Sequence, residues 1–131
     1  MTKEINIQNT VRKEASKELD MRLFNNPRGL AYKKNGEPVK YGLGSNGASD
    51  TVGFTVVEIT PEMVGRKFAV FTAIEFKRDR KEVDKWFKSS GKREVQQRGF
   101  VDAVGNQGGI SGVACETVDL RKILDKFLTG R

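Results

Sequence analysis

A chain of 131 residues with 24 Lys and Arg against 17 Asp and Glu carries a net charge of +7, a balance that favours a polyanionic partner. It has no histidine and a single cysteine, which excludes Ser-His and Cys-His nucleophilic catalysis, histidine bases, histidine metal ligands, intramolecular disulfides and cysteine-based zinc sites. Any hydrolytic chemistry must rest on carboxylates, lysine and a hard cation with oxygen ligands. In chain order, the residue pattern predicts a helix from about Thr2 to Leu19 and short extended pieces near Met21 to Phe24 and Gly29 to Tyr32. Asn35-Gly36 is a hairpin signal joining Leu30-Ala31-Tyr32 to Val39-Lys40-Tyr41. A glycine-rich loop from Gly42 to Asp50 feeds a strand from Thr51 to Ile59, and Thr60 to Gly65 turns the chain into a strand from Phe68 to Lys77. A polar basic segment, a helix near Arg93 to Gly105, a strand from Ile110 to Cys115 and a last helix complete the order. Thr117 is the expected N-cap of that helix, with Leu120, Ile123, Leu124 and Phe127 as its apolar stripe. The length is that of one domain, residues 1–131, with Cys115 as a small buried hydrophobe. Neither a signal peptide nor a membrane-spanning stretch is present, so the expected compartment is the cytoplasm.

The most informative stretch is Phe68 to Lys77, apolar at both parities until Glu75 and Lys77. It reads as a central strand covered on both faces. Alternate residues of a strand share a face, so Glu75 and Lys77 project together while Phe76 points the other way, into core. Buried charges must be paired, and a carboxylate beside an ammonium at the end of a core strand points to chemistry. Acid-x-base spacing recurs at Asp20-Arg22, Asp79-Lys81 and Asp119-Arg121, but only Glu75 and Lys77 lie in an apolar strand. The bland alternative is a solvated salt bridge.

Further polar groups converge on the same chemistry. If the turn centres near Glu62 and Met63, Asp50 lies opposite Glu75 in an antiparallel pair, with Cβ atoms roughly 4.5–5.5 Å apart. Two carboxylates that close call for a compensating cation, and without histidine that cation is magnesium or manganese. On the first helix, Ile7, Val11, Ala15 and Leu19 form one stripe at about 100° per residue, and Glu4, Gln8 and Glu18 fall inside it. A core-facing glutamate breaks the local pattern, as functional residues do, unless the N-terminus frays and leaves Glu4 in water. Glu4 and Glu18 are about 14 residues apart, roughly 21 Å along the helix, so only one can serve a given site. Gln97, beside Phe100, Val101 and Val104, either satisfies a backbone group or reaches the same polar pocket.

Together, Asp50, Glu75-Phe76-Lys77 and Gln97 resemble the PD-(D/E)XK nuclease arrangement, and more closely the VRR-NUC family of virus-type replication-repair nucleases. Glu4-Ile5-Asn6-Ile7-Gln8 resembles the family's opening helix, and Asn25-Asn26-Pro27-Arg28-Gly29 its Arg-Asn-x-x-Gly segment. Gly47-Ala48-Ser49-Asp50-Thr51-Val52-Gly53 is similar to Gly-x-Ser-Asp-x-x-Gly, and Ala73-Ile74-Glu75-Phe76-Lys77 to the strand ending in Glu-x-Lys. Gln97-Arg98-Gly99-Phe100 and Gly108-Gly109 resemble the family's Gln-x-x-Phe helix and following glycines. The similarity spans essentially the whole chain in order. One departure is Asn25, where the family commonly has arginine; Arg28 lies nearby.

The resemblance implies an α/β, restriction-endonuclease-like core, a mixed sheet flanked by helices. It implies a homodimer that cleaves four-way DNA junctions, as in the stand-alone phage and bacterial members. On this expectation Asp50, Glu75 and the Phe76 carbonyl hold one or two magnesium or manganese ions, with Glu4 adding a carboxylate. Lys77 orients or deprotonates the attacking water, and Gln97 positions Lys77 or that water. Arg28, Lys33, Lys34, Arg78, Arg80 and Lys81, in the basic clusters, are the expected DNA contacts. The rival readings are a flap or single-strand nuclease, a restriction-type nuclease, and a DNA-binding protein without catalysis.

Overall fold

Sixteen residues, Lys3–Glu18, form the first helix (α1) in the computed structural model, which describes residues 3–44 and 47–130. Thr2, the expected start of this helix, and Ser45-Asn46 of the glycine-rich loop lie outside the described residues. The chain is mixed α/β, with four helices and three two-stranded sheets among the described residues. It divides into two compact units, Met1–Glu58 and Ile59–Arg131.

In the first unit, α1 packs on strand β1 (Met21–Asn25), which pairs antiparallel with β4 (Thr51–Thr55). The helix face turned to the strand matches the expected stripe at Gln8 and Ala15 but not at its larger apolar residues. Ala15 is buried and Gln8 and Arg12 are half-buried, whereas Ile7, Val11 and Leu19 are more than half exposed. Arg12 Nε donates to the Leu23 carbonyl at 3.0 Å, and Gln8 Nε2 donates to Asn25 Oδ1 at 2.9 Å. These polar bonds select the face, because an edge strand offers unsatisfied carbonyls that a guanidinium can pair. Strands β2 (Gly29–Tyr32) and β3 (Pro38–Tyr41) form the hairpin expected around Asn35-Gly36, with Gly29 facing Tyr41. Phe24 and Phe54 pack as a tilted aromatic pair with centroids 6.3 Å apart. Gly53 lies opposite Leu23, and a Cβ there would run into the Arg22 carbonyl oxygen, so only glycine permits this strand approach.

In the second unit, a 3₁₀ turn at Pro61–Met63 precedes strand β5 (Thr72–Phe76), which pairs parallel with β6 (Ile110–Ala114). A parallel pair needs a long crossover, and helices α2 (Arg80–Lys88) and α3 (Lys92–Asn106) supply it. Helix α2, missed in the polar basic segment, opens with Asp79 accepting from the Glu82 amide at 2.8 Å. It buries Val83 and Trp86, four and seven residues after Asp79, against Val113 of β6; the half-buried Val101 and Cys115 pack on that cluster. Helix α4 (Thr117–Thr129) is capped by Glu116 rather than the expected Thr117, because Glu116 and Asp119 form a reciprocal capping box. Trp86 at 3%, Val104 at 2% and Ala114 at 0% exposure mark the core; burying a large apolar side chain contributes about 1.5–3 kcal/mol.

Two expectations about the central strand are overturned. The ladder covers only Thr72–Phe76, and Phe68 and Val70 before it are exposed. Phe76 is 64% exposed rather than in core. A strand with one parallel neighbour is an edge, so apolar residues at both parities do not mean two covered faces. The expected β4–β5 register is also replaced: β4 pairs with β1, and Glu75 faces Val113 of β6. The tight turn at Thr60 to Gly65 redirects the chain without making a hairpin. No helix among the described residues is long and apolar enough to cross a membrane.

Candidate active site

Lys77 follows β5 directly, and its amide extends the ladder by donating to the Ala114 carbonyl at 2.9 Å. That anchors the backbone of both charged residues. Glu75 and Lys77 share a face as alternation requires, with Oε1 and Nζ 3.5 Å apart and side chains only 29% and 17% exposed. Gln97 of α3 turns the same way. Its Oε1 accepts from Trp86 Nε1 at 2.9 Å and from Lys77 Nζ at 3.4 Å. The structure therefore joins three of the expected site residues, Glu75, Lys77 and Gln97, on one spot. A groove of about 570 Å³ opens there, lined by Glu75, Gln97, Ile74, Arg93 and Phe100 among others. A partly desolvated ammonium held beside a carboxylate can counter negative charge on an anionic substrate or handle a proton on a neighbouring oxygen.

Asp50 and Glu4 belong to the first unit. Asp50 is exposed and lies just before β4, where its carbonyl accepts from the Asn26 amide at 2.8 Å. Asn26 organises this loop, a role that sequence reading missed although the residue sits inside a quoted motif. Nearly buried at 9% exposure, it donates from Nδ2 to the Leu43 and Ser49 carbonyls at 3.1 and 3.0 Å. Its Oδ1 accepts from the Leu43 amide at 2.7 Å. Gly42, at φ +98°, lets the loop close over Arg28, since a Cβ would strike the Arg28 side chain and the Pro27 carbonyl. Glu4 is exposed in the first turn of α1 and Glu18 is exposed in its last, so neither is the core-facing carboxylate expected. The helix turns Gln8, Arg12 and Ala15 to the strand instead, which leaves both glutamates in solvent.

The basic residues divide by what they touch. Lys34 and Lys81 are exposed, Arg28 is half-buried, and Lys33 pairs with Glu37 at 3.5 Å. Arg78 pairs with Glu82 at 2.7 Å. Arg80 is a structural clamp: its Nη2 donates to both Asp119 oxygens at 2.7 and 2.9 Å and to Glu116 at 3.2 Å. Arg98 caps α2, donating to the Trp86 and Ser89 carbonyls at 2.6 and 2.7 Å. Asp119 also accepts from the Cys115 and Glu116 amides at 2.9 and 3.1 Å. The Cys115 amide above all, then Arg80, hold its carboxyl down at about 2. Hydrogen bonding to Asp119 raises the Arg80 pKa, and burial raises that of the Cys115 thiol. Cys115, Glu116 and Asp119 lie close enough to hold an ion, but Asp119 already accepts four contacts, two of them from Arg80, so a dication there would meet a resident positive charge. In the second unit, Glu75 is the carboxylate that lines the groove; its oxygens are hard donors of the kind magnesium and manganese take, and the Lys77 ammonium stands 3.5 Å from one of them. No family model, curated protein or solved structure matches this chain.

Proposed function

We propose that this chain is a magnesium- or manganese-dependent endonuclease that hydrolyses phosphodiester bonds in branched DNA, with a restriction-endonuclease-like core and a homodimeric form suited to four-way junctions. The observation that carries the reading is the Glu75–Lys77 pair at the end of β5, held at 3.5 Å with Gln97 against the lysine. The net charge of +7 supports a phosphate-rich partner, and the absence of histidine leaves carboxylate, lysine and metal as the hydrolytic set.

In this reading Glu75 and the Phe76 carbonyl contribute metal ligands. Asp50 and Glu4 enter as further carboxylates on the motif resemblance. The bound cation supplies a water of lowered pKa and charge stabilisation at the scissile phosphate. Lys77 orients the attacking water or, as the neutral amine, takes its proton, and as the ammonium it opposes the charge that grows on the phosphate oxygens. Gln97 keeps the Lys77 ammonium beside Glu75. Lys33, Lys34, Arg28, Arg78 and Lys81 are proposed to contact phosphates; Arg80 serves the fold first.

The test is cleavage of a four-way junction, a flap, a single strand and a plain duplex with magnesium or manganese, by wild type and Asp50→Ala. Paired nicks across the junction that vanish in the variant support the reading. Cutting of the flap or single strand alone would reassign the substrate. Salt-sensitive binding without cutting on every DNA would replace the enzyme with a DNA-binding protein.

A further inference from the structure

We propose that Trp86 is a positioning residue whose indole N–H fixes the Gln97 carboxamide and, through it, the Lys77 ammonium beside Glu75. The catalytic consequence rests on the nuclease reading above; the positioning itself does not. Trp86 is 3% exposed, wedged with Val83 and Val113. Phe87 meets its ring edge-on at 5.1 Å and 77°, and the Arg98 guanidinium carbon lies 6.0 Å from the ring centroid. Arg98 also ties down the Trp86 carbonyl at 2.6 Å. Ring and backbone are thus both fixed.

An indole offers one donor and no acceptor, and a buried donor must be paired. Here it takes Gln97 Oε1 at 2.9 Å. The carboxamide cannot turn over without orphaning that N–H, so its oxygen stays where it is. The same oxygen lies 3.4 Å from Lys77 Nζ, long for a hydrogen bond. The dipole therefore biases a flexible lysine toward Glu75 without holding it so tightly that a substrate cannot take over. Well-made active sites share this grading, in which a rigid supporting contact orients a looser reactive one.

The experiment compares wild type with Trp86→Phe, which keeps an aromatic body and deletes the donor, Gln97→Met, which deletes the acceptor, and the double variant. Two readouts need no DNA. Trp86 is the only tryptophan, so its indole H–N cross-peak is unambiguous and should move upfield in Gln97→Met. The Lys77 Cε–Hε cross-peak should shift in the same direction in both single variants. In single-turnover cleavage of a four-way junction with magnesium, Trp86→Phe should slow the cutting step about three- to tenfold, the span of one net hydrogen bond, at unchanged DNA affinity. The double variant should be no slower than Gln97→Met, because residues in one chain of contacts do not add. An unmoved Lys77 cross-peak in Trp86→Phe, or fully additive losses, would overturn the proposal. If Trp86→Phe does not fold, Gln97→Met at its half-buried position decides, and an unshifted indole signal refutes the contact. If wild type cuts no DNA, the nuclease reading fails while the spectra still decide the positioning.

Discussion

Replacing Asn26 with alanine should unfasten the glycine-rich loop that leads to Asp50. The side chain makes three hydrogen bonds, two donated to the Leu43 and Ser49 carbonyls and one accepted from the Leu43 amide. At a net value of about 0.5–1.5 kcal/mol each, their loss amounts to roughly 3 kcal/mol. A small protein with a urea m-value of about 2 kcal/mol/M would then show a midpoint lowered by about 1.5 M. Hydrogen exchange reads the local effect: the Leu43 amide loses its acceptor and should exchange about a hundredfold faster. Asn26→Asp sharpens the test, since aspartate can accept from Leu43 but cannot donate to either carbonyl and sets a negative charge against both. It should be at least as damaging as alanine at neutral pH. Unchanged Leu43 exchange, with a midpoint within about 0.2 M of wild type, would refute the assignment of Asn26 as the loop's fastener.

Other consequences are equally direct. The Asp119 carboxyl, held down at about 2, stays ionised where an unfolded aspartate with a value near 3.8 takes up a proton. Its contribution is therefore complete above about pH 4 and fades as pH falls toward 2. Urea midpoints at successive pH values should show Asp119→Asn farthest below wild type at neutral pH, with the gap closing in acid; a gap that widens in acid would contradict the sign. Gly53→Ala should cost about 1–3 kcal/mol by thermal or urea unfolding, because the new methyl meets the Arg22 carbonyl oxygen. An unchanged midpoint there would mean that β1 and β4 separate easily.

The local signals in the sequence were legible, and the long-range pairings were not. Asn35-Gly36 locates its hairpin because turn chemistry acts within a few residues, and the Glu-x-Lys spacing places both charges on one face for the same reason. Helix α2 escaped notice because its nine residues carry six charges, although Asp79 three residues before Glu82 and the spacing of Val83 and Trp86 were both readable signs. The pairing of β5 with β6 lies beyond local patterning, since 33 residues separate Phe76 from Ile110 and two helices fill the crossover. Trp86 could not be placed beside Gln97 until that crossover was known. Glu4 misled because the stripe of Ile7, Val11 and Leu19 suggested a buried face, and the polar bonds of Gln8 and Arg12 turned the helix instead.

The claim that Lys77 serves chemistry rather than folding is tested most directly by Lys77→Met. The variant's binding to a four-way junction and its magnesium-dependent single-turnover cleavage should be measured on one preparation. Methionine keeps much of the side-chain length and removes the ammonium 3.5 Å from Glu75. Junction affinity should be nearly unchanged and the melting temperature unchanged, with cleavage lost by at least about a hundredfold. Cleavage at the wild-type rate would contradict the claim.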